Sequence, residues 1–272
     1  VTYTHNCADP VLTVSSVCGD PIVFTVTNTG GAMLIAQPYT VTQGAATIVS
    51  STYTVAANSS TTITLSGGLD PYLAYIFSSS GAFVTSLNTT HDCPEPVLTV
   101  TSVCGSPIVF TVTNTGADML TPQAYTVTQG GSPVDSGTFT VAGGGATTTV
   151  TMPAGFNPYL EYVFSSSGFI TVASLTHDCA DPVITVTSVC GDPIVFTVTN
   201  TGADMLIAQP YTVTQGATTV ASSTFNLAAG TSTTVTLPGG IDPYAAYVFS
   251  NNGGFITINF THDCANPTIV VT

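Results

Sequence analysis

The 272-residue chain alternates apolar and hydroxyl side chains with a period of two over most of its length. The pattern is clear at 11–15, 22–27 and 39–42, which read Val-Leu-Thr-Val-Ser, Ile-Val-Phe-Thr-Val-Thr and Tyr-Thr-Val-Thr. Such alternation, rich in β-branched residues and bounded by Gly, Pro, Asn and Asp, predicts strands with one buried and one solvent-facing side. No stretch has the spacing of an amphipathic helix. The chain is therefore predicted to be all-β.

The pattern repeats along the chain. The phrase Thr-His-Asn-Cys-Ala-Asp-Pro at 4–10 recurs with small changes at 90–96, 176–182 and 261–267. Its cysteines follow one another at intervals of 86, 86 and 85 residues, and a second cysteine lies 11 residues after each of the first three; the two series are Cys7, Cys93, Cys179 and Cys264, and Cys18, Cys104 and Cys190. A period near 86 exceeds that of solenoid repeats and suits one small β domain.

The period defines a domain organisation. We expect domains at 7–92, 93–178 and 179–263, preceded at 1–6 by the end of another repeat's last strand. Residues 264–272 would be the first strand of a following repeat or an inter-subunit strand. About seven strands fit each copy, and in the first copy they are predicted at 11–17, 22–29, 38–43, 47–55, 60–66, 72–78 and 82–90. Seven short strands per copy predict three tandem Ig-like β-sandwich domains in a linear array.

Two motifs carry a resemblance to known domains. The sequence Ile-Val-Phe-Thr-Val-Thr-Asn-Thr-Gly at 22–30, 108–116 and 194–202 resembles the second strand of bacterial and archaeal surface Ig-like repeats, described as CARDB-like or DUF11-like. Asp-Pro-Tyr-Leu-Ala-Tyr-Ile-Phe at 70–77, with relatives at 157–164 and 242–249, is similar to their penultimate strand. The resemblance covers all three copies and implies a β-sandwich at a cell surface, but no specific activity.

Composition then excludes several functions. The chain has 14 acidic residues and no lysine or arginine. Nucleic-acid binding and attraction to anionic lipid both depend on those cations. Walker-type phosphate loops and Schiff-base chemistry need a lysine. No apolar run is long enough to cross a membrane. Seven cysteines at repeating positions indicate an oxidising, extracellular or cell-surface location.

The cysteine pairing follows from the poles of a sandwich. Cys7 and Cys18 flank the first strand, whose extended length of roughly 36 Å far exceeds the Cα separation of about 7 Å that a disulfide tolerates. A tight fold at residues 15–16 would bring them together and is the alternative. In a seven-stranded sandwich the first strand ends at the pole where the last strand leaves. The predicted pairs are therefore Cys18–Cys93, Cys104–Cys179 and Cys190–Cys264.

This pairing leaves Cys7 unpaired within the chain, so we expect its partner in a preceding repeat or another subunit. Residues 1–4 match the close of a final strand, and residues 268–272 match the opening strand of a further domain. The chain is expected to be either a window of a longer array, which we favour, or a subunit whose ends complete its neighbours.

Acidic residues gather near the domain boundaries, and a cation site there is one hypothesis. Hard oxygen ligands are those that Ca²⁺ prefers, so calcium at the junctions is a candidate cofactor. The alternative is turn chemistry, in which Asp caps its own backbone; Ser106 replaces the Asp of the other two copies. The candidate ligands are Asp9, Asp20, Asp92, Glu95, Asp178, Asp181, Asp192 and Asp263.

Other side chains have a functional and a structural interpretation. A histidine stands two residues before each cysteine of the first series, either as a zinc ligand or, as we favour, packed at a domain boundary; these are His5, His91, His177 and His262. No Gly-x-Ser-x-Gly elbow accompanies them. Tyrosines at 72, 159 and 244 are expected to form the tyrosine corner of Ig-like folds, or alternatively a sugar-binding platform.

Polar surface chemistry leaves two further alternatives open. Thr-x-Thr pairs recur in most strands and either form an ice-binding array or serve as polar β-formers on an outer face. Asn58, Asn88 and Asn259 begin Asn-x-Ser/Thr sequons. Glycans on these residues would add solubility and shield strand edges.

The favoured function is a non-enzymatic structural protein that builds an extracellular filament, stalk or sheath from disulfide-stapled Ig-like beads. Its expected partners are copies of itself, head-to-tail and laterally, and glycans, but neither nucleic acid nor membrane. One alternative is the repetitive stalk of a cell-surface adhesin or surface glycoprotein. A minor alternative is a secreted glycan- or ice-binding module.

Overall fold

A computed structural model describes residues 8–81, 86–168, 170, 173–251 and 255–264. Within these ranges the chain forms 21 β-strands and no helix. Cys7 and the partial strands expected at 1–6 and beyond Cys264 lie outside the described residues.

The strands fall into three sets of seven. The first set is β1 (Leu12–Val17), β2 (Val23–Asn28), β3 (Gln37–Gln43), β4 (Ala46–Tyr53), β5 (Ser59–Thr64), β6 (Tyr75–Ser79) and β7 (Leu87–His91). The second is β8 (Leu98–Val103), β9 (Val109–Asn114), β10 (Gln123–Gln129), β11 (Ser132–Phe139), β12 (Ala146–Thr151), β13 (Tyr162–Ser167) and β14 (Ser174–His177). The third is β15 (Ile184–Val189), β16 (Val195–Asn200), β17 (Gln209–Gln215), β18 (Thr218–Phe225), β19 (Ser232–Thr236), β20 (Tyr247–Asn251) and β21 (Ile258–His262).

Each set forms a sandwich of one three-stranded and one four-stranded antiparallel sheet. In the first domain the strand orders are β1-β2-β5 and β4-β3-β6-β7, and the other two domains repeat them. The last strand of each domain lies beside the first across the edge of the sandwich, as β7 lies beside β1. The predicted fold class, three tandem seven-stranded β-sandwiches, is confirmed. The exact domain boundaries stay predictions.

The period-two pattern places the core between the sheets. In β2 the burial alternates, with Phe24 and Val26 fully buried and the hydroxyl side chains between them turned outward. Phe77 of the opposite sheet packs on Phe24 at 5.6 Å and stacks on Tyr39 at 5.5 Å between ring centroids. The same aromatic cluster recurs in the other two domains. Alternation along β2 and its counterparts therefore assigns the core correctly.

The sixth strand begins later than the pattern indicates. The sequence predicts it from residue 72, but β6 begins at Tyr75. The carboxylate of Asp70 accepts a hydrogen bond from the Tyr72 N–H at 2.9 Å, and its carbonyl oxygen accepts one from the Leu73 N–H at 3.4 Å. These bonds form a turn that delays the strand. The seventh strand, predicted at 82–90, is observed as β7 from Leu87, and residues 82–85 lie outside the described ranges.

A buried asparagine ends the second strand of each domain. Asn114 is fully buried, and its Oδ1 accepts hydrogen bonds from the N–H groups of Val97 and Gly116, each at 3.0 Å. Its Nδ2 donates to the carbonyl oxygens of Ala117 at 2.6 Å and Val141 at 3.2 Å. Asn28 and Asn200 make the equivalent bonds. This side chain therefore ties the segment entering the domain to two of its loops.

Candidate functional site: the junctions between domains

The first junction is held by a tyrosine that reaches into the next domain. The turn at Asp70 directs Tyr72 away from its own sandwich, and the Leu120 N–H of the second domain donates a hydrogen bond to its Oη at 2.6 Å. Tyr72 is only 4 % exposed and belongs, with Cys93, to the hydrophobic cluster of the second domain. The junction is therefore a packed contact as well as a covalent connection.

The second junction repeats this arrangement. Asn157 replaces the aspartate, and its Oδ1 accepts from the Tyr159 N–H at 3.1 Å. The Leu206 N–H of the third domain donates to the Tyr159 Oη at 2.7 Å, and Tyr159 is 7 % exposed. Two junctions with different flanking residues thus make the same tyrosine contact, which we call the tyrosine latch.

The latch corrects the role expected for these tyrosines. The hydroxyl that closes a tyrosine corner belongs to the residue three positions later: Tyr75 Oη donates to the Asp70 carbonyl oxygen at 3.0 Å. Tyr162 and Tyr247 make the same bond to residues 157 and 242. Their burial raises the pKa of these phenols. The expectation that Tyr72 and Tyr159 form the corner is wrong, because their hydroxyl groups accept hydrogen bonds from the neighbouring domain instead.

Disulfides anchor the segments that leave the domains. The structure joins Cys18 to Cys93, Cys104 to Cys179 and Cys190 to Cys264, with Cα separations of 5.7, 5.8 and 6.1 Å. In each bridge the second cysteine is buried and the first is exposed. Each bridge thus links the turn after the first strand to the residue just past the last strand. For the first two bridges this residue also starts the linker to the next domain.

A buried histidine lies against each bridge. The Nε2 of His177 is 3.3 Å from the Sγ of Cys179, and its Nδ1 is 2.9 Å from the Ser102 hydroxyl. Burial lowers the pKa of His177, partly offset by Asp178 and by a hydrogen bond to the Pro158 carbonyl oxygen. A buried neutral imidazole packed on a disulfide is a structural element. His91 and His262 occupy the same place, although the Nδ1 of His91 has no hydrogen-bond partner.

Among the described residues one group of potential metal ligands is compact. Sulfur and nitrogen atoms of Cys190, His262 and Cys264 lie within 4.8 Å of one another. Both sulfurs are bonded to each other in the disulfide. Because metal binding by cysteine requires a thiolate, the oxidised group offers only the imidazole nitrogen. This arrangement does not support the zinc interpretation.

The eight predicted calcium ligands are all exposed and do not form a comparably compact group within the described part of the chain. Several have backbone roles instead. The carbonyl oxygens of Asp9, Glu95 and Asp181 accept hydrogen bonds from the loop that follows the second strand. The Asp192 carboxylate accepts from the Gly240 N–H at 3.2 Å. These contacts favour turn chemistry, and calcium stays a prediction.

The three sequon asparagines are all exposed. Asn58 has a positive φ of 50° in the turn before β5. Asn88 lies on β7 and Asn259 on β21, which are edge strands of the four-stranded sheets. Glycans on Asn88 and Asn259 would cover a strand edge, and glycosylation stays a prediction.

The Thr-x-Thr pairs align into rows on the three-stranded sheets. In the second domain Thr113 lies between Thr99 and Thr147, and Thr111 lies between Thr101 and Thr149. Matching rows occur in the other domains, with serine at 15, 60 and 232. We call this outer surface the hydroxyl face. Its rows contain no charged side chain, so each domain presents an uncharged hydroxyl array.

Comparison with known proteins finds solved structures that are similar to this chain, but it does not assign the chain to a family. No family model matches the chain, and no curated protein matches it. The tetra-tandem repeat in the extending region of a large adhesion protein is similar at 20% identity, over 93% of this chain and 73% of that chain, with a TM-score of 0.31. Escherichia coli alpha-2-macroglobulin activated by porcine elastase is similar at 10% identity, over 94% and 32% of the two chains, with a TM-score of 0.27.

The chicken CNTN1 FN1–FN3 domains are similar at 11% identity, over 94% of this chain and 99% of that chain, with a TM-score of 0.25. At these TM-scores the similarities carry no conclusion about function. The described ranges also contain no helix of the length and apolar character needed to cross a membrane.

Proposed function

We propose that this chain is a non-enzymatic structural protein, a stiff spacer of β-sandwich domains that builds an extracellular filament, stalk or sheath. The observation that carries this proposal is the junction, which occurs twice with the same tyrosine latch and the same disulfide-anchored linker. A chain that only needed to connect independent domains would be served by a flexible linker.

The first linker is held by a covalent bond or hydrogen bonds at alternate residues, Cys93, Glu95 and Val97. Cys93 is bonded to Cys18 of the first domain. Two residues later, the carbonyl oxygen of Glu95 accepts from the Ala117 N–H at 3.2 Å. The Val97 N–H then donates to Asn114, and its carbonyl oxygen accepts from Thr115. The next domain thus starts within four residues of the bridge, and this supports a fixed angle between domains.

The second linker is held in the same way. Cys179 is bonded to Cys104, the Asp181 carbonyl oxygen accepts from the Ala203 N–H at 3.1 Å, and the Val183 N–H donates to Asn200 at 3.2 Å. Because the bonds recur at corresponding positions, each added domain is expected to extend the rod by the same step. Regular extension of this kind suits a stalk or filament.

The location and the absence of enzymatic activity are supported by the same groups. Disulfides persist in oxidising compartments, and three of them support an extracellular site. Two serine–histidine pairs lie within hydrogen-bond distance, Ser102 with His177 and Ser188 with His262, and in both the imidazole is buried beside a disulfide. Such a histidine has no room to serve a substrate, and we assign it no catalytic role.

The same rod would also serve as the repetitive stalk of a cell-surface adhesin or surface glycoprotein. Both functions predict that antibody against the chain labels projections outside intact cells that produce it. Immunogold electron microscopy of unpermeabilised cells tests this location. Gold particles found only after lysis would contradict both forms of the proposal.

The rod itself is tested in solution by small-angle X-ray scattering at low protein concentration. The wild-type chain should give one extended shape with two inter-domain distances, one between neighbouring domains and one between the first and third domains. Tyr72→Ala combined with Tyr159→Ala removes both latches and should broaden these distances. Tyr244→Ala is the matched control, because this tyrosine contacts no following domain among the described residues. Equal profiles for all three proteins would contradict the role of the latch.

A second candidate function rests on the hydroxyl face. Regular threonine rows without charge are the feature expected of an ice- or glycan-binding surface, and the structure aligns them across three strands. Thermal hysteresis measurements and glycan arrays test this candidate with the wild-type chain. Replacing Thr111, in the centre of a row, with a lysine should abolish any such binding.

A further inference from the structure

The two halves of the tyrosine latch are also present on opposite outer domains, where they are uncovered. Tyr244 of the third domain is 42 % exposed, whereas its counterparts Tyr72 and Tyr159 are 4 % and 7 % exposed. Leu34 of the first domain is 77 % exposed, whereas its counterparts Leu120 and Leu206 are half-buried. The third domain thus offers a free tyrosine, and the first domain offers a free receiving loop.

Both free halves keep the conformation of the occupied junctions. The Asp242 carboxylate accepts from the Tyr244 N–H at 2.9 Å, the same distance as in the Asp70 turn. On the receiving side the Met33 N–H donates to the Val55 carbonyl oxygen at 3.2 Å, and Met119 makes the same bond to Val141 at 3.3 Å. The residue after this methionine is the leucine whose N–H meets the latch. Neither half needs to refold before docking.

Both surfaces are apolar. In repeat proteins an apolar surface at a junction is normally covered by a neighbouring repeat. Here Leu34, the neighbouring Ile35 at 57 % exposure and Tyr244 face solvent. The two surfaces are also different from each other and complementary, which is the property of a heterologous contact that extends without closing.

We propose that the third domain of one copy docks onto the first domain of a second copy through the tyrosine latch. Tyr244 packs against Leu34 of the second copy, and the Leu34 N–H donates a hydrogen bond to the Tyr244 Oη. The contact continues the interface already present twice within the chain. This inference rests on the proposed rod and names its partner, a second copy of the same chain.

The contact is small, so the association is expected to be weak. Within one chain the linker supplies an effective concentration in the millimolar range. Between copies the same latch must offset the loss of translational and rotational freedom. A small contact of this kind corresponds to a Kd on the order of 0.1–1 mM, so we expect end-to-end association at protein concentrations in that range.

Sedimentation equilibrium over this concentration range tests the docking. All proteins carry Cys7→Ser, so that this thiol takes no part in the comparison. Tyr244→Ala blocks the third-domain surface, and Leu34→Asp blocks the first-domain surface. Each variant alone should stay monomeric. Ile76→Asp, at another exposed apolar residue that is 41 % exposed on a sheet face, is the matched control and should associate like wild type.

The decisive sample is a mixture of the two blocked variants. Leu34→Asp retains a working tyrosine, and Tyr244→Ala retains a working receiving loop, so their mixture should form 1:1 dimers and nothing larger. A wild-type chain that stays monomeric at 1 mM would overturn the proposal. Wild-type association that the mixture fails to reproduce would also overturn it. Scattering from the dilute monomer reports the rod separately, so the two failures are distinguishable.

Discussion

Removing one disulfide should selectively destabilise the domain that it closes. Cys18→Ser with Cys93→Ala removes the first bridge without leaving a free thiol from it, and alanine suits the buried position of Cys93, which is 3 % exposed. The bridge joins residues 75 apart. In the chain-entropy relation a loop of this length contributes about 4.5 kcal/mol at 25 °C. For a domain of this size, such a loss lowers the melting temperature by roughly 20–30 °C.

Differential scanning calorimetry under non-reducing conditions measures the effect. The wild-type chain should show the three domains melting at high temperature, and the variant should show one transition moved down by that amount. The matched control, Cys104→Ser with Cys179→Ala, should move the transition of the second domain instead. A loss below about 1 kcal/mol, the scale of an ordinary substitution, would refute the account of the bridges. A uniform shift of all three transitions would contradict the assignment of this bridge to the stability of the first domain.

Three further predictions concern single side chains. Asn114→Ala leaves buried backbone groups without partners, so we expect urea denaturation to show a loss of about 3 kcal/mol or more, with Thr115→Ala changing stability by less than about 0.5 kcal/mol. Because burial lowers the pKa of His177 below its ordinary 6.5, the stability it supports is complete above that pH and is lost as the pH falls through the folded pKa. His177→Gln should therefore flatten the pH dependence of the stability of the second domain below pH 6.5. Gly202→Ala would press a methyl group on the Val183 and Asp181 backbone and should cost about 1–3 kcal/mol in thermal melts. Gly191→Ala, whose methyl group would meet only the Pro193 carbonyl oxygen at an ordinary contact distance of 3.7 Å, should not.

Sequence pattern predicts this fold well, because alternation identifies the buried face of strands such as β2, β9 and β16. The period-two alternation identifies Phe24 and Val26 as core without any knowledge of their partners. The disulfide pairs also follow from strand order, since an odd number of strands places the first turn and the chain exit at one pole. Both predictions need only the alternation of side chains within a strand and the number of strands in a domain, and both can be inferred from the sequence alone.

The contacts at the junction are harder to predict from the sequence, because they depend on a neighbouring domain. Tyr72 and Tyr75 stand in one motif, and only the turn at Asp70 decides which hydroxyl closes the corner and which one leaves the domain. Asn114 looks like an ordinary turn residue, yet it is fully buried and bonds to two loops and the incoming linker. Burial of a polar side chain by groups far away in sequence leaves no periodic signal.

The acidic residues illustrate how a grouping in the sequence differs from a grouping in space, and calcium binding by them stays a prediction. Their grouping near the boundaries in sequence indicates a shared site, but exposed side chains at the ends of several loops need not converge. In the structure all eight side chains are exposed. The backbone carbonyl oxygens of several of these residues accept hydrogen bonds from the loop after the second strand of a domain. The absence of lysine and arginine therefore leaves the disulfides, the latch and the sandwich cores to stabilise the array.

The central claim is that the junctions make three domains behave as one stiff body, and ¹⁵N relaxation of the dilute wild-type chain tests it most directly. Rotational correlation times fitted separately for the three domains should agree with one elongated body of the full chain. The Tyr72→Ala, Tyr159→Ala double variant should give shorter and unequal times, while Tyr244→Ala should match wild type. Three short, independent correlation times in the wild-type chain would contradict the account.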